Sequence, residues 1–505
     1  MAQATGGTSL VANYALSART AARTVEVAWD GTNWVDETSR VLSCSVNHQL
    51  LNTPLGLPML GQGIPSEATL AMDNSDSRYC ASYTGSIAQI NRPDGIYRVP
   101  IRIAMGYSGE TLRQFTGEII EAPGTETLAR RVVTFKCLDY AYALRQIKHV
   151  TTTTTNRRAD SFMATLLNAA HVVDTGFDTH TGRALDKALC VIPYVWSDDE
   201  NLWEQLGLLA ASELGMIHFS KSAEFRFWRT TAFLERADST ASQVTLDRGK
   251  AFALGDDLSW RNAYTKVAVE SNPWLRSPLT NLYEAQSELV IPPGESLTHW
   301  ARLRYVTTEL VTPVSGTDYN AVSSGMMDLS ANLTVTLTEY AQQAKLVMEN
   351  ANATQAVYVL NLTIRGYPLI GEQADKDEYD ATLTPAKVPG EKVYTVSGNH
   401  YIQTMPQQAL LGSRLRDLLQ RPRRLFGWRG PLCPWLELGD RVTLQDSAHG
   451  IDEDALVLNM AINADGARQD MELVLLPVAN LYPYSDYFIW GTSAYANSGS
   501  DKAYY

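Results

Sequence analysis

Five cysteines in 505 residues, none in a Cys-x-x-Cys spacing, give neither a disulfide framework nor a zinc site. Cys44, Cys80, Cys137, Cys190 and Cys433 are odd in number and far apart, and read as small buried hydrophobes in a reducing compartment. No run of 18 or more apolar residues occurs, so no helical bilayer span is predicted. The opening MAQATGGTSLVANYALSART has neither the basic nor the apolar region of a secretory signal, and no membrane insertion by this chain is expected. The eight histidines never fall in HExxH or HxH spacing, which removes the common zinc signatures. A G-x-S-x-G elbow, a GxxxxGK[ST] loop and a GxGxxG turn after a strand are missing too. No catalytic residue, cofactor or metal ligand is therefore assigned. The chain is not expected to be an enzyme.

What is present is an ordinary globular balance, 45% hydrophobic and 19% charged, rich in Thr and Ser. Length alone suggests roughly three or four domains. The net charge of −13 is unevenly placed. From Arg414 to Arg429 six arginines face one acid, Asp417, whereas Glu437 to Tyr505 holds eleven acids and three bases. A phosphate binder shows a basic excess over a whole domain, and this region does not. Arg414, Arg416, Arg421, Arg423 and Arg424 are therefore taken as subunit-interface candidates around a helix end. Two acidic clusters invite chemistry. Asp198, Asp199 and Glu200 are read as helix-start acids that complement the dipole, in preference to a catalytic pair. Asp452, Glu453 and Asp454 are read as an exposed loop, because successive side chains diverge and cannot converge on one cation.

Periodicity divides the chain. In residues 65–140, Val99, Ile101, Ile103 and Met105 alternate with Arg98, Pro100, Arg102 and Ala104, which puts one apolar row against a core. Val133, Phe135 and Cys137 alternate likewise, and Asp73-Asn74-Ser75-Asp76-Ser77 is turn chemistry. Helical spacing appears after Asp160, with Phe162, Leu166, Leu167 and Ala170 on one face. It recurs after Ser197 and Glu200, whose spacing matches a capping box, with a Leu202, Leu206, Leu209 and Leu214 stripe. Two aromatic-rich strands, MIHFS and EFRFW, follow. Residues 280–390 are β-rich again. A last helix carries Leu411, Leu415, Leu418 and Leu419, ended by Pro422, and a hairpin turns at Asp465-Gly466.

The order of an "ATLAMDNSDSRY" turn, an "RVPIRI" strand, an "FTGEI" strand and an "FKCLDY" strand resembles tailed-bacteriophage tail-tip and baseplate hub proteins. So do the helix-then-strand-pair unit and the LELGDRV phrase after a long helix. The resemblance implies an α+β, predominantly β, multidomain chain with two tube-like antiparallel β-barrels, a small α/β domain and an inserted β-sandwich-like module. The expected boundaries are 1–21, an arm mobile until a neighbour holds it; 22–150, the first tube-like domain; and 151–255, the α/β domain. Residues 256–395 hold a strand plus the inserted module, 396–480 complete the second barrel, and 481–505 form an aromatic docking segment. The resemblance further implies a homotrimer at the virion's tail tip, assembled in the host cytoplasm. Its partners there are the tail tube or distal tail protein, the tape measure protein and tail fibre or tip proteins, with genomic DNA passing transiently. The competing expectation is a carbohydrate-active or receptor-binding tail protein that recognises host-surface glycans.

Eight aromatics lie in the last 24 residues. Disordered tails are poor in aromatics, and Tyr and Trp dominate binding hot spots. Tyr482, Tyr484, Tyr487, Phe488 and Trp490 are therefore partner-docking candidates.

Overall fold

A computed structural model describes residues 8–478 except 17, 51–60, 81–82, 93–95, 122–125, 128–129, 170–181, 230, 260–262, 373, 383–387 and 389. The alternating segments form strands as their period of two requires, and Val99, Ile101, Ile103, Met105, Val133, Phe135 and Cys137 are all buried. Ser108 and Gly109, both at positive φ, turn Val99–Tyr107 back into Glu110–Glu121, and Gly466 does the same at the last hairpin. Fourteen described strands join in one sheet. Its main path begins with Ala253–Ser259, Arg423–Pro431, Arg468–Pro477 and Ile451–Asp465. It continues through Val41–Gln49, Ile64–Asp73, Arg130–Leu138, Glu110–Glu121, Val99–Tyr107, Ala21–Val27 and Val35–Asp36. Val41–Gln49 pairs antiparallel with Ile451–Asp465, Val46 opposite Ile462, so the two ends of the chain share one sheet. Among the described residues the sheet is open.

One core underlies both halves of the sheet, running from Leu10 and Val25 to Leu475. Of the expected 1–21 arm, residues 8–15 are packed against the core. Thr8–Ala15 is a helix whose Leu10 and Tyr14, four apart, share a buried face, and Tyr14 meets Trp435 edge-on at 5.5 Å. A second core gathers Phe162, Leu166 and Leu167 of the Ala159–Ala169 helix, the Leu202–Ala211 helix and the Met216–Phe219/Phe225–Trp228 hairpin. A third fills the all-β segment from Leu282 to Ile364. The Met405–Leu419 helix lays Leu411, Leu415 and Leu419 against Val267 and Val269, with Thr404 as N-cap and Pro406 within the first turn. Each such leucine contributes roughly 1.5–3 kcal/mol by burial.

Two acidic stretches depart from expectation. Asp198–Asn201 is a strand paired with Lys148–Val150 and is not the opening of a helix. The N-cap is Asn201, whose side-chain oxygen accepts from the amides of Trp203 and Glu204. Asn is as good a cap as Ser and sits one residue before the helical stripe begins. Asp452, Glu453 and Asp454 likewise lie within the long Ile451–Asp465 strand, paired with Arg441–Asp446. Glu453 meets Arg424 and Asp454 meets Arg441, which makes charged residues acceptable in a strand.

Candidate functional site

From Ala253–Ser259 across to Arg130–Leu138 the large sheet is covered on one face and open on the other; on the Glu110–Glu121 strand the open face ends, with Thr116 and Glu118 buried. Register fixes which residues share the bare face, because residues opposite each other in a ladder point the same way. One line runs Ala253, Arg429, Glu472, Ala461, Asn47, Glu67, Leu138 across seven strands. A second runs Gly255, Gly427, Val474, Asn459, and a third Asn463, Ser45, Thr69, Lys136. Their neighbours along each strand, such as Val46, Leu70, Met460 and Leu473, are buried. This face is mostly small or polar, with Leu138 and Val474 as apolar members, and crosses the seam between the two ends of the chain. An open groove of about 590 Å³ lies on it, floored by Asn47, Gln49, Gly255, Gly427 and Asn459. Its cations are answered locally: Arg429 meets Asp470 at 2.8 Å, Lys136 meets Glu121 at 3.1 Å, and Arg102 meets Glu26 at 2.6 Å. A polyanion would find no unpaired basic row in these three residues.

Beneath the covered face lies a knot of buried polar groups, which positions the seam. The Glu437-Leu438-Gly439-Asp440-Arg441 turn supplies much of it. The Glu437 carboxylate accepts from the Arg226 guanidinium, which also bonds Glu224 at 2.8 Å. The Asp440 carboxylate accepts the Glu437 amide at 2.7 Å. Gly439 has φ +80°, and a Cβ there would stand 2.6 Å from the Trp228 ring, so only glycine fits. Lys221, buried at the tip of the aromatic hairpin, donates to Gln114 Oε1 at 2.6 Å, and burial pushes its pKa down to about 8. His48 places Nε2 2.8 Å from the Gln114 carbonyl and Nδ1 2.9 Å from Ser66 Oγ. A carbonyl only accepts, so Nε2 carries the proton and Nδ1 accepts from the serine. Burial, then the nearby Lys221 charge, holds His48 down at about 3. The space enclosed by His48, His218, Lys221 and Glu437 is only about 10 Å³. It holds no substrate. These groups tie together the first β unit, the hairpin and the last β unit.

The expected site residues are scattered. Arg416 pairs with the adjacent Asp417 at 2.8 Å. Arg424 pairs with Asp256 and Glu453, each at 2.7 Å, so both arginines find acids within this chain. Arg423 is buried near Tyr264 and Tyr394, and burial lowers it to about 10. Arg414 lies on the Met405–Leu419 helix, and Arg421 follows it. Tyr482, Tyr484, Tyr487, Phe488 and Trp490 lie outside the described residues. Of the acids weighed for catalysis, Asp198 is engaged by Arg302 at 3.0 Å. No group of three or more His, Cys, Asp or Glu able to hold a metal occurs among the described residues. The bare face and the buried knot went unnoticed in the sequence. The only signal for the knot was a glycine between two acids in LELGDRV and a lone lysine amid hairpin aromatics.

No protein-family model and no curated protein matches the chain. Solved structures do. The 43 kDa tail protein of prophage MuSo2 from Shewanella oneidensis aligns with a TM-score of 0.49 at 9% identity, over 90% of this chain and 98% of that one. The tail protein from Neisseria meningitidis MC58 aligns with a TM-score of 0.51 at 9% identity, over 91% of this chain and 97% of its own. Over nine tenths of its length, this chain has the fold of a tail protein, in keeping with the order of its β segments.

Proposed function

We propose that the chain is a structural hub of a phage tail tip, three copies of which close the distal end of the tail tube around a DNA conduit. The observation that carries this reading is the single sheet built from both ends of the chain, one face packed and the other mostly small or polar across the seam. In the proposed ring each copy contributes both halves of its sheet, so three copies present six tube-like surfaces with bare faces inward. Small, polar and charge-neutralised walls suit the passage of DNA, which carries about one negative charge per 1.7 Å and sticks to basic surfaces. The open ends of the sheet need covering, and ring neighbours can cover them. On this reading residues 22–150 and 396–480 form the two tube-like units, 151–255 brace them, and the module within 256–395 faces outward toward fibre or tip proteins. Residues 481–505 dock on a neighbour such as the distal tail or tape measure protein. The protein belongs in the virion, assembles in the host cytoplasm and has no catalytic turnover. Light scattering of the purified chain and imaging of the assembled tip test the proposal together. A closed trimer with Asn47, Thr69 and Asn459 on the lumen is the expected result; a ring with those residues outside, or a tip lacking this chain, refutes it.

A further inference from the structure

The all-β segment has a bare face of its own, chemically unlike that of the large sheet. Ser296–Arg302, Leu333–Glu339 and Gln343–Asn350 form a three-stranded sheet with Gln343–Asn350 central. Leu333, Leu346 and Met348 point into the core. On the opposite face Trp300, Lys345 and Thr338 stand in one cross-strand row, and Thr298, Val347 and Thr336 in the next. Trp300 is 53% exposed, although its ring is stacked on Tyr340 at 5.7 Å and 28°. The Lys345 ammonium lies 5.8 Å from the indole centre.

We propose that this face binds an oligosaccharide bearing an anionic group, with Trp300 as the stacking platform and Lys345 as its charge partner. A pyranose offers an apolar C–H face and a rim of hydroxyls, and this surface offers one aromatic plane set among threonine hydroxyls. A protein hot spot needs a contiguous apolar centre ringed by contacts that exclude water, and here Val347 is the single apolar neighbour in the two rows. The indole is held in place by Tyr340, so little side-chain freedom is lost when a ligand stacks on it. Charge selects the anion. Arg302, in the adjoining position, is occupied by Asp198 at 3.0 Å, whereas among the described residues no carboxylate lies within ion-pair distance of Lys345. An available cation beside an exposed tryptophan favours an acidic ligand locally, against the repulsion of a chain of net charge −13.

The inference does not rest on the tail-hub reading, and either can fail alone. Calorimetric titration of the full chain with oligogalacturonate and sialyllactose, against neutral cello-oligosaccharide, tests it. At least one acidic probe is expected to saturate and to bind about tenfold tighter than the neutral one. Trp300→Ala should abolish binding with unchanged thermal unfolding, and Lys345→Gln should erase the acidic preference while leaving weak neutral binding. No saturable binding to any acidic probe overturns the proposal. So does binding indifferent to Trp300→Ala, or loss of association with another protein in that variant without glycan binding.

Discussion

Acidification should loosen the seam of the large sheet through His48. Its ring is 2% exposed and held as one neutral tautomer between Ser66 and Gln114. The charge that acts on it directly is Lys221; Arg226 and Arg236 act on neighbouring His218, which burial also holds well below its usual range, and the Glu437 carboxylate lines the same small space but is taken up by Arg226. The folded pKa of about 3 lies below the unfolded 6.5, so between these values the unfolded chain binds the extra proton. Stability therefore falls as pH drops through that window. At 1.36 kcal/mol per unit, the loss attributable to His48 is about 2 kcal/mol between pH 7 and 5, reaching about 4 kcal/mol at pH 3. Buried Asp139, pushed up to about 6 chiefly by desolvation, titrates in the opposite sense and gains stability on acidification. Raw pH curves mix the two, so the comparison must be made against His48→Gln, which can keep both hydrogen bonds but cannot take the proton. Hydrogen exchange of the Val41–Gln49 amides, corrected for intrinsic pH dependence, reads the local opening energy in a multidomain chain. Wild type should lose about 2 kcal/mol more than the variant between pH 7 and 5. Equal losses in the two proteins would refute the buried-neutral assignment.

Two glycines at positive φ should behave differently. Gly439→Ala meets both backbone strain and the Trp228 ring, and should lower the melting temperature by several degrees, equivalent to about 2–4 kcal/mol. Gly450→Ala, with open space around it, should cost only about 1 kcal/mol; similar costs at both sites would contradict the packing at Gly439. Asn201→Ala should destabilise by about 1 kcal/mol in denaturant titration while Ser197→Ala leaves the helix start untouched, the reverse of what a capping box predicts. Deletion after Leu481 should leave the melting transition in place and weaken association with a neighbouring tail protein; a truncated chain that fails to fold would move the aromatic segment into the core.

Local patterns were the legible part of this fold. The period of two in RVPIRI and the leucine spacings of the helices matched elements, because both depend on residues close in sequence, although Leu214 lies past the end of the Leu202–Ala211 helix and packs in another core. The Ser197 to Glu200 spacing misled because it imitates a capping box, while the strand that absorbs Asp198–Asn201 is set by its distant partner Lys148–Val150. The same limit hid the seam: nothing near Val46 announces Ile462 opposite it. The buried knot was illegible for another reason. Glu437, Asp440, Lys221 and Arg226 look like surface charges one at a time, and only their convergence in space makes burial tolerable.

The pairing of Val41–Gln49 with Ile451–Asp465 also orders events during synthesis. The early strand emerges from the ribosome long before its partner exists, so until translation is nearly complete it offers an unsatisfied template to any passing strand. Contacts so distant in sequence form slowly, and chains with exposed edges are prone to wrong pairings. The all-β segment between, with a core of its own, can fold while that edge waits. A premature stop between Leu138 and Ile451 would therefore leave a sticky half-sheet rather than a smaller working protein. Insertions in the intervening segment, by contrast, lengthen the wait without altering the closure itself.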